Sequence, residues 1–147
     1  MKKILILLLS VFTYSASAQV FDTGSAQLDA DLKNLNVSAS ANFSMFSNNL
    51  SASYGITNKK IDYMRVSLNM APGEIYFALE ISKYSNRPID DIIGLYRTHK
   101  SKGWGYIAKQ AGIKPGSDAF HQMKNNAKGK SGKGGNNGNG KGKGKKK

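Results

Sequence analysis

The chain has 147 residues, 22 Lys and Arg against 9 Asp and Glu, a formal net charge of +13 and no cysteine. The missing thiols exclude a disulfide-stapled scaffold, a cysteine nucleophile and a cysteine-linked lipid anchor, so any core has to come from packing alone. The charge is uneven: 9 lysines lie between Lys124 and Lys147 with no carboxylate among them, while all 9 acids and 11 of the basic residues fall between positions 19 and 123. The high pI therefore describes the C-terminal end, and the middle of the chain is nearly balanced.

In chain order, Met1-Lys2-Lys3 precedes the apolar run Ile4 to Phe12 and then Ala16-Ser17-Ala18. This pattern predicts a secretory signal peptide, residues 1–18, cleaved before Gln19. Its apolar core is short of the roughly 20 residues that a spanning helix needs. The mature protein is expected in the periplasm or outside the cell.

Positions 19–42 form an N-terminal segment of mixed signals. Leu28, Leu32 and Leu35 suit a helix, whereas Val37 to Phe43 alternates like a strand. A lone strand has no partner, so a loop or a continued helix is expected there.

Positions 43–124 predict an all-α domain of about three consecutive helical hairpins. In the first, Leu50 to Ile56 overlays Ile107 to Ile113 around Gly55 and Gly112, which places Tyr63 on Phe120 as an inner aromatic. The match suggests an internal repeat, or only the likeness that all short helical hairpins share. In the second, Ile75, Ala78, Leu79 and Ser82 share a face, a loop follows at Tyr84 to Arg87, and Pro88 is expected at the first helical position. Ile89, Ile92, Ile93 and Tyr96 repeat the spacing, with Asp90 and Asp91 in the favourable first turn. In the third, Trp104, Ile107, Ala108 and Ala111 form a stripe ended by Gly112. Ser117 and Asp118 then open a helix carrying Ala119, Phe120 and Met123.

The elements Gly103-Trp104-Gly105, Ile107-Ala108-Lys109, Gly112-Ile113-Lys114-Pro115-Gly116-Ser117 and Phe120-His121 follow the segment Pro88 to Tyr96. This arrangement resembles a motif of small secreted bacterial proteins that carry no assigned activity. The resemblance covers about residues 70–124 and implies an extracytoplasmic helical domain, with no catalytic role to transfer. The Ile-Ala-x-x-x-Gly-Ile spacing is also similar to a helix-turn-helix. A recognition helix opening with Asp118 and offering only His121, Gln122 and Lys124 to a groove argues against sequence-specific DNA binding.

Trp104 between two glycines has two readings, an exposed stacking platform or a core anchor, and its place at the head of an apolar stripe favours the anchor. With Lys102, Lys109, Lys114 and His121 it makes the candidate contact set of the domain, and Lys100 extends the same basic rim. Scattered solvated lysines are the plainer explanation. Catalysis lacks support: His99 and His121 have no metal-ligand spacing, no serine sits in Gly-x-Ser-x-Gly, and no cofactor is implied.

The stretch 125–147 is expected to be a disordered Lys/Gly/Asn-rich tail. Together with Lys124, it presents Lys128, Lys130, Lys133, Lys141, Lys143, Lys145, Lys146 and Lys147 as a polyanion-binding element. Each lysine near an anionic surface contributes on the order of 1 kcal/mol. Expected partners are an anionic cell envelope, acidic polysaccharide or extracellular nucleic acid. With no aromatic residue in this stretch to stack on bases, nucleic acid has no advantage. A plainly solubilising appendage is the bland alternative. The sequence thus points to a secreted, non-enzymatic binding or matrix-associated protein. Its rival is a periplasmic enzyme or enzyme inhibitor with a site between the hairpins, which a converging pair of polar side chains in a deep pocket would favour.

Overall fold

A computed structural model describes residues 20–132, so the expected signal peptide and the lysines from Lys133 onward lie outside the described residues. The described chain is all-α: α1 (Ala26–Ala41), α2 (Phe43–Tyr54), α3 (Asn58–Asp62), α4 (Pro72–Ser85), α5 (Ile89–His99), α6 (Trp104–Gln110) and α7 (Asp118–Ser131). A π-turn over Tyr63–Ser67 continues α3, and a 3₁₀ turn over Lys100–Lys102 leads into α6. Among the described residues, no helix is long and apolar enough to cross a membrane.

Every residue of α4 from Pro72 to Ile81 is buried, so this helix is the axis of the bundle. Its start is built from sequence: Pro72 occupies the first turn, where its missing N–H is no loss, and Glu74 Oε2 accepts from the Ala71 N–H at 2.8 Å. Asn86, at φ 54°, ends it in the left-handed region that asparagine tolerates. α1 crosses it at Gly73, whose N–H donates to Asn36 Oδ1 at 2.6 Å. A Cβ on Gly73 would sit 2.6 Å from the Leu32 carbonyl oxygen. Backbone meets backbone there.

The N-terminal segment belongs to this core. Phe21, Leu28, Leu32 and Leu35 are all buried. Ser25 caps α1 at Leu28, and α1 continues through the alternating stretch to Ala41. Asn42 then closes α1 and caps α2, accepting from the Met45 N–H at 3.0 Å. The alternation of Val37 to Phe43 reflects small polar residues on a solvated helix face, not a strand.

α2 turns into α3 through Gly55 at φ 63°, and α6 turns towards α7 through Gly112 at φ 100°, as the two Gly-Ile pairs predict. The overlay fails beyond the turn. α3 starts at Asn58 directly after its cap Thr57, whereas Lys114 to Gly116 separate Ile113 from the cap Ser117 of α7. The three extra residues rotate the register, so Tyr63 is 39% exposed while Phe120 is buried, and Ile61 and Met64 face inward instead. The third expected hairpin also opens up: α6 packs on α5, and α7 lies mainly against α1 and also touches α4. Pro88 stands one position earlier than expected, as the residue preceding α5.

α7 runs to Ser131, past the expected domain boundary at 124. Phe120, Met123 and Ala127 are buried at i, i+3, i+7 spacing, and Ser131 donates to Asp31 Oδ1 at 3.0 Å. Lys128 and Lys130 therefore stand on a packed helix and not in a disordered tail.

The approach at Gly73 sets a stability prediction. Gly73→Ala forces α1 and α4 apart and should lower unfolding free energy by about 1–3 kcal/mol. Gly94→Ala, with open space at its Cβ in exposed α5, should raise it by about 0.5–1 kcal/mol. Urea midpoints of the two variants check both signs.

Candidate functional site

The Gly-Trp-Gly motif closes the core. Trp104 is 2% exposed, its Nε1–H donates to Glu74 Oε1 at 3.2 Å, Tyr96 stacks on it at 5.3 Å and Phe77 meets it edge-on at 5.8 Å. No ring face is left for a ligand, so Trp104 is removed from the candidate contacts. The flanking glycines have a separate cause. The carbonyls of Phe21 and Asp22 accept the first N–H groups of α6, Trp104 and Gly105, each at 2.8 Å. A Cβ on Gly105 would meet the Thr23 carbonyl oxygen at 2.9 Å. Gly103, at φ 83°, would meet the Asp22 Cβ at 2.7 Å. The N-terminal strap caps α6, and the glycines let it approach.

Lys102, Lys109, Lys114 and His121 are exposed, as is Lys100. Lys102 Nζ lies 4.6 Å from the Tyr106 ring centroid and Lys100 Nζ 6.0 Å from that of Tyr96. These are aromatic-packed surface lysines, and none contributes to the cluster described next. Asp90 and Asp91 open α5 as helix-start charges, and Asp90 also pairs with Lys60 at 2.6 Å.

The densest polar chemistry lies between α2, α4 and α7. Glu80, 1% exposed, accepts from the Tyr54 hydroxyl at Oε1 and from Asn126 Nδ2 at Oε2, 2.9 Å. The same Asn126 amide donates to the Tyr84 hydroxyl at 3.0 Å. Tyr76 stands beside Tyr54, ring to ring at 6.4 Å, and Lys130 Nζ lies 5.8 Å from the Tyr76 ring centroid. A cleft of about 480 Å³ opens over this group, lined among others by Tyr54, Tyr76, Glu80, Lys83, Asn126 and Lys130. A second cleft of about 410 Å³, between α2, α4 and α5, shares Ser53, Tyr54 and Lys83 with it.

A buried carboxylate is costly unless it is hydrogen-bonded, and Glu80 is held by donors from two other helices. Burial pushes the Tyr54 hydroxyl well above its ordinary pKa, and its bond to Glu80 adds to this. Tyr76 is raised mainly by burial and then by the Glu80 charge. Tyr96 is pushed up to about 12 by burial first and the Glu74 charge second. The Tyr76 hydroxyl is buried and makes no hydrogen bond of good geometry among the described residues, and its interaction with the Tyr54 hydroxyl partly offsets the rise in its pKa.

Tyr76 was not a sequence candidate, and Glu80 stood only with Glu74, Asp62 and Asp90 among the acids from which any chain with nine acids allows a carboxylate pair to be chosen. Glu80 was one acid among nine, and nothing local in the sequence marks its partners, which lie 26 and 46 residues away. Comparison with family models, curated proteins and solved structures finds no match to the chain.

A raised tyrosine pKa means that the fold holds a proton the unfolded chain releases near pH 10. This stabilisation is present in full below that pH and is lost as pH rises towards the folded values, about 12 for Tyr96. In an alkaline titration, the phenolate absorbance of Tyr54, Tyr76 and Tyr96 should appear together with loss of helical circular dichroism. Full ionisation near pH 10 with the helices intact would contradict their burial.

Proposed function

We propose that this chain is a secreted, non-enzymatic binding protein whose C-terminal lysines adhere to polyanions of the envelope, of acidic polysaccharide or of extracellular nucleic acid. The observation that supports this most is the distribution of charge: 9 lysines and no carboxylate from Lys124 to Lys147, beside a nearly balanced domain. The fold adds a mechanical reason. α7 is tied to the bundle by Asn126, Ala127 and Ser131, so the lysine-rich sequence begins on a helix that is part of the core. Lys128 and Lys130 fall in its last turn, where the helix dipole favours cations. Force on the basic end is carried into α1 and α4.

The enzyme reading finds less support. The cleft over Glu80 holds one carboxylate and no histidine among its lining residues, which does not assemble the two-carboxylate machinery of glycoside hydrolysis. Both Glu80 oxygens are already engaged.

The test uses the whole mature chain and a variant with Lys133, Lys141, Lys143, Lys145, Lys146 and Lys147 changed to Gln. The native chain should bind an anionic polymer at low salt and release steeply as salt rises, because each neutralised anion frees a counterion. The variant should keep its melting temperature and lose most of that affinity. Equal retention of both would refute adhesion through these lysines.

A further inference from the structure

Lys130 also stands on the wall of a third cleft, a groove of about 240 Å³ between α1 and α2. Its other lining is mostly apolar: Leu35, Ala39 and Leu50 belong to the core, Phe46 is half-buried, and Met45 is 59% exposed. A methionine so placed leaves most of its apolar surface in water. Phe46 carries the apolar surface on to half-buried Phe43, 5.8 Å away between ring centroids, and the Arg65 guanidinium lies 3.7 Å over the Phe43 ring. Among the described residues Arg65 has no carboxylate within ion-pair distance. An apolar strip thus runs from Lys130 through Met45, Phe46 and Phe43 to Arg65.

Nothing acidic from its own elements interrupts this strip. The sequence from Leu32 to Ile61, which supplies most of α1 and all of α2, contains no Asp or Glu. The two carboxylates bonded to α7, Asp31 and Glu80, are buried and held by Ser131 and by Tyr54 and Asn126. The lysine-rich sequence also sets out from here. The described residues end two positions after Lys130, and six of the following 15, positions 133–147, are lysines.

An unpaired arginine, a lysine and the start of a polycationic stretch around an exposed apolar side chain select among polyanions. A soluble polysaccharide or polyphosphate gives Met45 nothing apolar to meet. An anionic lipid surface presents phosphates and, just beneath them, acyl chains. Long cationic side chains suit that boundary, because their stems lie along apolar surface while their charges stay at the headgroups. Apolar insertion and a polybasic segment are each weak anchors, and together they hold a protein on a bilayer.

We propose that the Met45 and Phe46 face of α1 and α2 docks on an anionic lipid bilayer, with Met45 entering the boundary between headgroups and acyl chains, Arg65 and Lys130 at the headgroups, and the lysines from Lys133 onward on the surrounding phosphates. The inference rests on adhesion by the basic end and names its polyanion as the lipid of the envelope.

Co-sedimentation of the full mature chain with mixed phosphatidylglycerol and phosphatidylcholine vesicles tests this, with polyphosphate as the soluble control. Met45→Ser changes an exposed side chain, so it should keep the melting temperature, weaken vesicle binding about tenfold and leave polyphosphate binding unchanged. Met45→Trp should strengthen vesicle binding, since tryptophan favours the membrane interface. The emission it adds to that of buried Trp104 should shift to the blue on vesicles and not on polyphosphate. Unchanged vesicle binding in both variants, or added emission that keeps its value in water, would overturn the docking surface, and intact polyphosphate binding would then leave adhesion standing alone. A dimer of the free chain that Met45→Ser dissociates in analytical ultracentrifugation would also overturn it and give the face to a second copy. Failure of the native chain to bind either vesicles or polyphosphate at low salt would refute adhesion itself.

Discussion

The structure depends on burying α4 on all sides although it carries two glutamates. An unpaired carboxylate in such a position would lose its charge or open the bundle. Both acids are instead met by donors from elsewhere in the chain: Glu74 by the Ala71 N–H and the Trp104 indole, Glu80 by Tyr54 and Asn126. These bonds pin α2, α6 and α7 to one axis. They also give direction to a core whose apolar contacts alone would tolerate sliding.

Two consequences run outward from that axis. The Glu74 end is dry and closed, because Trp104 and Tyr96 cover it and the strap at Phe21 to Thr23 seals the start of α6. The Glu80 end is the reverse. Its partners are tyrosines and amides at the edge of an open cleft, and a basic helix ends beside it. One helix thus supplies a carboxylate sealed by Trp104 near its start and a buried, fully bonded carboxylate beneath a cleft near its end.

Much of the helical order was legible in the sequence, because stops and caps are local. Gly55, Gly112, Ser117 and the acids of α5 act within a turn of where they stand. The core position of Trp104 was likewise legible from the stripe it heads. The burial of α4 was not, since Glu74 and Glu80 read as solvent-facing charges until partners from α2, α6 and α7 are placed against them. The C-terminal boundary was missed for a related reason. Lys128, Gly129 and Lys130 give the end of α7 a solvated composition, and the weaker signal, Ala127 continuing the stripe of Phe120 and Met123, was outweighed by charge. The repeat between the Gly-Ile turns was legible as a turn and misleading as a register, because Lys114 to Gly116 have no counterpart after Ile56.

Native-state amide hydrogen exchange across α7 in the whole chain tests most directly whether the basic end is rooted in the core through Glu80 and Asn126. Residues 125–131 should be protected to a degree comparable with 118–124, and Glu80→Gln should reduce protection from Asn126 onward first. Exchange of 125–131 at the rate of an unfolded chain, with 118–124 protected, would contradict the anchoring of α7 on α4.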